Sequence, residues 1–189
     1  MVSSTGWVND MTEVGTIYGG ALYDLAAAET LSESVMEQLQ VLAEGFTQEP
    51  AFLNLLCAHA LSKAERCQII DDSFGGKVHP YVLNFLKLLT EKGYARHFAE
   101  CCAAYKIRYN EDHNILPVTA VTAVALNAEQ TCRLTKKLEE QTGKTIELTN
   151  RVTPDVLGGV RLDFDGKSVD DTLAHRLESV RNLLNNTIL

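Results

Sequence analysis

The sequence predicts an α+β fold: a six-helix bundle in residues 1–112, after a short flexible start, followed by a small β-α-β-β-α domain in residues 113–189. In the first part, apolar residues recur at the 3.6-residue period of a helix. From Pro117 onward, runs of β-branched residues and apolar-polar alternation are typical of strands. A polar run at residues 110–117 separates the two patterns and marks the predicted boundary.

The composition is that of a folded globular protein with an acidic N-terminal end. Hydrophobic residues make up 46% of the 189 positions and charged residues 22%, which excludes a collagen-like or disordered chain. The formal net charge is −8, and no Lys or Arg precedes Lys63. Such a surface repels duplex nucleic acid and steers a basic partner toward the N-terminal end.

No segment carries the signal of a membrane span or a targeting peptide. The longest apolar stretches, residues 51–61 and 115–126, contain polar residues and fall short of the ~20 residues that a spanning helix needs. The first residues lack both the basic region of a secretory signal and the Arg-rich pattern of a transit peptide. Five cysteines without CxxC spacing indicate reduced thiols. We therefore expect residence on the cytoplasmic side without direct membrane insertion.

The first predicted helix has one apolar stripe and three glycines. The stripe has helical spacing and consists of Val14, Ile17, Tyr18, Ala21, Leu22 and Leu25. Each glycine inside a helix costs up to ~1 kcal/mol relative to alanine. Gly15, Gly19 and Gly20 therefore predict the close approach of another backbone.

Capping and breaking residues delimit five further helices. These signals are a Thr30/Glu33 capping box with Gly45 at the far end, Pro50 opening a helix through Cys57, a Ser62/Glu65 box with a stop at Gly75-Gly76, Pro80 with Gly93, and a sixth start near Arg96.

The second domain begins with a strand at residues 118–124, followed by a helix that Asn127 caps and Gly143 ends. Two alternating runs, 146–152 and 160–164, then predict strands. Because a turn signal lies between them, at Thr153-Pro-Asp155, we predict an antiparallel hairpin. A last helix is predicted to start at Ser168, with Asp170 and Asp171 in its first turn.

The residues that could carry chemistry do not form a predicted catalytic, metal or cofactor site. Cys57 and His59 are two residues apart on a helix and point to different faces. The five histidines lack the spacing that directs two imidazoles at one metal. Gly75-Gly76 and Gly158-Gly159 lack the ending of a phosphate-binding loop. The features that remain are surfaces, which favours a binding protein whose acidic, glycine-notched first helix accepts an amphipathic helix.

Several segments, in their order and spacing, resemble one protein family over roughly residues 12–187. In the first domain they are Tyr18-Gly-Gly-Ala-Leu22, Ser62-Lys-Ala-Glu-Arg66, and Asn84-Phe-Leu-Lys-Leu-Leu89 with Gly93 after it. In the second they are the strand at 118–126, Gly143-Lys144, Pro154-Asp-Val-Leu-Gly-Gly-Val160, Asp165-Gly166 and Asp171-Thr-Leu173. This pattern is similar to that of the delta subunits of F-type ATP synthases, whose mitochondrial relative is the oligomycin-sensitivity-conferring protein. Family members usually have Ala where Gly20 stands.

The resemblance implies a stator connector that catalyses nothing. The helical domain would hold N-terminal segments of the alpha subunits, and the second domain would hold the b subunits of the peripheral stalk. The chain would then be a peripheral protein on the cytoplasmic face of a bacterial plasma membrane. The residues expected to bind the partner lie on the first and fifth helices and are Tyr18, Ala21, Leu22, Leu25, Phe85 and Leu89.

Two other classes of protein remain open from the sequence. One is a free-standing helical adaptor unrelated to energy conversion. The other is a small enzyme with a site between the domains, using His113 and Asp155 or a cysteine.

Overall fold

The computed structural model describes residues 12–58, 61–153, 159–164 and 167–170, and the chain divides into two compact units, Met1–Tyr109 and Asn110–Leu189. The elements in chain order are α1 (Glu13–Ala28), α2 (Ser32–Gln48), α3 (Pro50–Cys57), α4 (Lys63–Phe74), α5 (Pro80–Lys92), a 3₁₀ turn (Ala95–His97), α6 (Phe98–Asp112), β1 (Ile115–Thr122), α7 (Ala128–Thr142), β2 (Thr145–Val152), β3 (Val160–Phe164) and β4 (Lys167–Asp170). The fold therefore mixes helices with a sheet, as the sequence predicts. No helix among these described residues is both long enough and apolar enough to cross a bilayer.

The first unit has an apolar core to which its helices contribute. Val35 and Leu39 of α2, Val82 of α5 and Tyr105 of α6 are almost completely buried in it. Phe46 joins it from α2, with its ring 5.0 Å from that of Phe98. Because these side chains come from helices far apart in the sequence, tertiary packing holds the helices together.

The predicted ends of several helices are confirmed. Ser62 and Glu65 form the capping box of α4, and Gly75 follows its last residue. Gly93 ends α5 in the left-handed conformation, with φ of 78°, that glycine adopts without strain. In the second unit, Asn127 forms a capping box with Gln130 at the start of α7, and Gly143 ends that helix in the left-handed conformation.

The predicted limits of α2 are wrong at both ends. Thr30 does not cap the helix: its φ is 58° and its hydroxyl donates to the carbonyl oxygen of Glu29 at 2.7 Å. The helix starts at Ser32 without a side-chain cap. It also continues through Gly45 to Gln48, because Leu42 and Phe46 pack into the core on either side of that glycine. Packing here outweighs the weak local preference of one glycine.

Two of the three glycines in α1 lie against the backbone of α6. A Cβ atom at Gly19 would lie 2.3 Å from the carbonyl oxygen of Cys101, and one at Gly15 would lie 2.9 Å from the Cβ of Glu100. Gly20 differs, since its nearest neighbour would be the Arg108 guanidinium at 3.7 Å. The predicted close approach is thus confirmed for Gly15 and Gly19 and is wrong for Gly20.

The sheet of the second unit has the order β2-β1-β3-β4, so the predicted hairpin of residues 146–152 and 160–164 is wrong. β1 lies between those two strands, parallel to β2 and antiparallel to β3. Helix α7 provides the long crossover that a parallel pair requires. β1 carries the buried side chains Val118, Ala120 and Val121, which explains its central place.

Other predictions for the second unit need correction or lie outside the described residues. The first strand runs from Ile115 to Thr122, three residues earlier at its start than predicted. Ser168 does not begin a helix: it lies in β4, and its hydroxyl donates to Asp163 Oδ1 at 2.8 Å. Asp170 is likewise a strand residue. Asp171 and the rest of the predicted last helix lie outside the described residues.

Candidate partner-binding surface

Helix α1 buries the face that carries its glycines and exposes much of its apolar stripe. Gly15, Gly19 and Ala26 are buried. Ile17 is 64% exposed and Leu25 is 57% exposed. Surface helices normally direct polar residues to solvent and apolar residues to the core. The exposed side of α1 therefore departs from the usual pattern.

We call this exposed surface the α1 stripe: Val14, Ile17, Tyr18, Ala21 and Leu25. Val14 and Tyr18 are half-buried, and the other three are exposed. At 100° per residue, these five positions fall on one side of the helix. Single exposed apolar residues are common, but a continuous row over three turns is typical of a surface that a partner covers, which makes the α1 stripe the candidate site.

Helix α5 and the segment after it contact α1 close to the α1 stripe. The Tyr81 hydroxyl at the start of α5 donates to Glu29 Oε1, just beyond α1, at 2.5 Å. The ring of Tyr18 lies 5.9 Å from that of Tyr94. Leu88, seven residues after Tyr81 and so on the same side of α5, is 40% exposed. The two helices thus offer neighbouring surfaces with apolar side chains.

The structure separates the six predicted binding residues into two groups. Ala21 and Leu25 are exposed and Tyr18 is half-buried. The other three, Leu22, Phe85 and Leu89, are buried in the core of the first unit. They support the two helices from inside and offer little surface to a partner.

Sequence reasoning omitted two exposed residues, Ile17 and Leu88, from the predicted set. Ile17 belongs to the predicted stripe, and its exposure follows from the glycines. Gly15 and Gly19 must face α6, since only glycine permits that approach. The glycine face therefore fixes the rotation of α1 and turns Ile17 toward solvent. The spacing of the glycines was the signal that could have revealed this. Leu88 has no comparable signal.

The electrostatic surroundings of the α1 stripe are acidic. Glu13 and Asp24 are exposed on α1, Glu29 follows it, and α1 and α2 contain no basic residue. The Arg108 guanidinium of α6 lies 4.0 Å from the Asp24 carboxylate. Since both groups are largely exposed, this pair contributes little to stability. A partner segment with basic residues beside its apolar face would match this surface.

A polar cluster fixes the start of α1 on α6. The backbone N–H and the hydroxyl of Thr12 both donate to Glu100 Oε2, the former at 3.3 Å. The Thr12 hydroxyl also accepts from the Gly15 N–H as the N-cap of α1. His97 Nδ1 lies 3.1 Å from Glu100 Oε1. Desolvation alone would raise the pKa of Glu100, but the hydrogen bonds from Thr12 and His97 hold it below its ordinary value.

Three cysteines of the first unit, Cys67, Cys101 and Cys102, do not have the environment of a catalytic nucleophile. Burial raises the pKa of the Cys101 thiol to about 12 and that of Cys102 even higher. Desolvation, followed by the charge of Glu91, raises the pKa of Cys67. Catalytic thiols have a lowered pKa instead. Of the pair suggested for an enzyme site, His113 is exposed and Asp155 lies outside the described residues.

In the second unit, an amide network presents an exposed valine after β1. Asn150 of β2 accepts from the Leu126 N–H at 3.0 Å and donates to the Ala120 carbonyl and to Thr122 Oγ1. The Thr122 hydroxyl in turn donates to the Val124 carbonyl at 2.8 Å. The backbone of this loop is therefore fixed while the Val124 side chain remains 75% exposed.

The sequence matches the family model described as ATP synthase delta (OSCP) subunit over residues 14–184. The ATP synthase subunit delta of Alkaliphilus oremlandii is 29% identical over 172 residues, which cover 91% of this chain and 96% of that protein. The corresponding subunit of Lactobacillus gasseri is 30% identical, with 91% and 94% covered. A chain in the cryo-EM structure of the Toxoplasma gondii mitochondrial ATP synthase hexamer has the same fold, with a TM-score of 0.73 at 17% identity over 92% of this chain and 98% of that one. The chain thus belongs to the ATP synthase delta (OSCP) subunit family.

Proposed function

We propose that this chain is a non-catalytic connector in the peripheral stalk of an F-type ATP synthase, joining the alpha-beta head to the b subunits. Its family supports this role. The observation that carries the proposal is the α1 stripe, an exposed apolar surface. It lies in the first 62 residues of the chain, which contain acidic residues but no Lys or Arg. In this role the chain stops the head from turning with the central shaft, so that proton flow drives ATP synthesis.

On this proposal, the α1 stripe and the neighbouring face of α5 receive the N-terminal segment of an alpha subunit. That segment would bind as an amphipathic helix with its apolar face on Ile17, Ala21 and Leu25. Full burial of a side chain such as isoleucine or leucine contributes roughly 1.5–3 kcal/mol, so Ile17 and Leu25 would supply part of the binding free energy and the other contacts of the bound helix must supply the rest. The acidic residues nearby favour a segment with basic residues at its edges.

The second unit would bind the b subunits. Val124 and Val152, exposed after β1 and at the end of β2, offer apolar surface for this contact. Asn150, which holds the loop of Val124, gives that surface a fixed backbone. With both partners bound, the chain would be a peripheral component on the cytoplasmic face of the plasma membrane.

A pull-down with two variants tests the proposal. The tagged full-length chain, expressed in its own organism, should recover alpha, beta and b subunits from solubilised membranes. Ala21→Arg places a charge in the α1 stripe and should lose the alpha and beta subunits while keeping b. Val124→Arg should show the reverse pattern.

Recovery of none of these subunits by the wild-type chain would contradict the connector role and would favour an unrelated adaptor. Recovery of alpha and beta by the Ala21→Arg variant at the wild-type level would remove the α1 stripe as the binding site.

A further inference from the structure

The start of α1 depends on a carboxylate from another helix. Thr12 is the N-cap of α1, and its hydroxyl has a single proton to donate. That proton goes to Glu100 Oε2 of α6, which leaves the lone pairs of the hydroxyl oxygen to accept from the Gly15 N–H. Glu100 thus orients the cap as well as contacting it. Hydrogen bonds in such a chain strengthen one another.

The same carboxylate makes two further contacts that fix its position. Glu100 Oε2 also accepts from the backbone N–H of Thr12, and Glu100 Oε1 lies 3.1 Å from His97 Nδ1. The missing side chain of Gly15 leaves room for Glu100, whose Cβ would lie only 2.9 Å from a Cβ at that position. Glu100 therefore packs directly against Gly15. This packing and the hydrogen bonds from Thr12 fix the first turn of α1 against α6.

The α1 stripe begins within this first turn. Val14 lies next to Gly15, and Ile17 is one turn beyond Glu13. Three glycines weaken the intrinsic stability of α1, and frayed ends are the first parts of a helix to open. Opening this turn removes Val14 from the row and leaves Ile17 at a frayed helix end, so a partner meets the complete stripe only while the turn is helical.

We infer that Glu100, through Thr12, is a positioning residue for partner binding: it keeps the first turn of α1 folded so that the α1 stripe is complete. This inference rests on the proposed function of the stripe. The Glu100 side chain is 29% exposed, and its carboxylate is hydrogen-bonded to Thr12 and His97. It would therefore act by holding α1 in place and not by contacting the partner.

Calorimetric binding of a synthetic alpha-subunit N-terminal peptide to full-length variants tests the inference. Loss of an N-cap is worth about a fivefold to tenfold change in an equilibrium constant. The apparent Kd rises in inverse proportion to the fraction of molecules whose first turn is helical, so Glu100→Ala and Thr12→Val should each weaken binding measurably, with that factor as the upper limit. The amide oxygen of Glu100→Gln still accepts from Thr12, and Thr12→Ser keeps the hydroxyl, so both should bind nearly as the wild type does.

Ser62→Ala is the matched control because it removes the N-cap of α4, which does not carry the stripe. It should lower overall stability without changing the affinity for the peptide. Hydrogen exchange gives the second readout: the Gly15 and Thr16 amides should exchange faster in Glu100→Ala and Thr12→Val, and at the wild-type rate in Ser62→Ala.

The outcomes separate the inference from the proposed function. If the wild type does not bind the peptide, the proposed function fails and the role of Glu100 in binding fails with it. If the wild type binds and Glu100→Ala binds equally well, the inference about Glu100 alone is overturned. Equal weakening by Ser62→Ala would also overturn it, because the effect would then reflect general loss of stability.

Discussion

Gly19 brings the backbones of α1 and α6 together more closely than any other residue would allow. The carbonyl oxygen of Cys101 occupies the space that a methyl group at Gly19 would need. A Cβ atom at Gly20, the next residue, would make only an ordinary contact with the Arg108 guanidinium at 3.7 Å, so this glycine keeps only the cost of a glycine in a helix. Adjacent glycines therefore have different roles, one forced by packing and one not.

Alanine substitutions should show this difference directly. Gly19→Ala should lower the free energy of unfolding by about 1–3 kcal/mol, because the two helices must separate. Gly20→Ala should raise it by up to ~1 kcal/mol, because alanine is the better helix former. Urea denaturation of both variants checks the prediction, and changes of the same sign would contradict the assigned packing of α1.

The cysteines should differ in reactivity according to burial. Cys132 is exposed on α7, whereas Cys101 is buried and its pKa is raised to about 12. A thiol reagent at neutral pH should therefore modify Cys132 quickly and Cys101 and Cys102 only after unfolding. Mass spectrometry of the labelled native protein checks this, with Cys132→Ser as control. Rapid native labelling of Cys101 would show that α1 and α6 are not packed as described.

At the scale of elements, the sequence was most informative where the determining contacts are local. The capping box of Ser62 and Glu65 spans four residues, so its pattern alone predicts the start of α4. Thr30 and Glu33 carry the same pattern without forming a cap, because Leu31 and the turn before α2 take another conformation. The order of the strands depends on pairings between distant residues, and the turn signal at Thr153 could not reveal that β1 separates β2 from β3.

The candidate surface shows the same limit. The spacing of Tyr18, Ala21 and Leu25 predicts one row on α1, which the structure confirms. The apolar spacing of α5 predicts that Phe85 and Leu89 face inward, and both are buried in the core, which removes them from the predicted binding set. Which side of an apolar helix is buried depends on its neighbours, and here the glycines facing α6 decide it.

Substitutions at the two capping patterns should have different effects. Ser62→Ala should lower the free energy of unfolding by about 1 kcal/mol, because the Glu65 N–H loses its acceptor. Thr30→Ala removes no cap and should change it by less than about 0.5 kcal/mol. Denaturant titration of both variants measures this. An equal loss for the two would indicate that Thr30 caps α2 in solution.

At the scale of the whole molecule, stability should depend on pH through Glu100. Desolvation would raise its pKa, but the Thr12 and His97 hydrogen bonds lower it in the folded state, so the unfolded chain binds the proton more tightly. The stabilising contribution is complete above the ordinary glutamate pKa of about 4.3 and is lost as pH falls below it through the lowered folded-state pKa. His97 and the buried Cys101 thiol are the titratable neighbours that the structure shows for Glu100.

The variant Glu100→Gln isolates this contribution. Between about pH 5 and 3, its free energy of unfolding should fall less steeply than that of the wild type, since one group that gains a proton on unfolding is gone. Denaturation at a series of pH values provides the measurement. If the free energy of unfolding fell equally steeply with pH in both proteins, the ionised carboxylate of Glu100 would not be the form that binds Thr12.

The connector role depends on the α1 stripe more than on any other surface of the chain. Calorimetry with the alpha-subunit N-terminal peptide and the variants Ala21→Arg and Ala27→Arg tests it most directly. Both alanines are exposed on α1, but they lie 120° apart around the helix, so only Ala21 belongs to the stripe. We expect Ala21→Arg to abolish binding and Ala27→Arg to retain it, with both variants as helical as the wild type by circular dichroism. Unchanged affinity of Ala21→Arg would contradict the account.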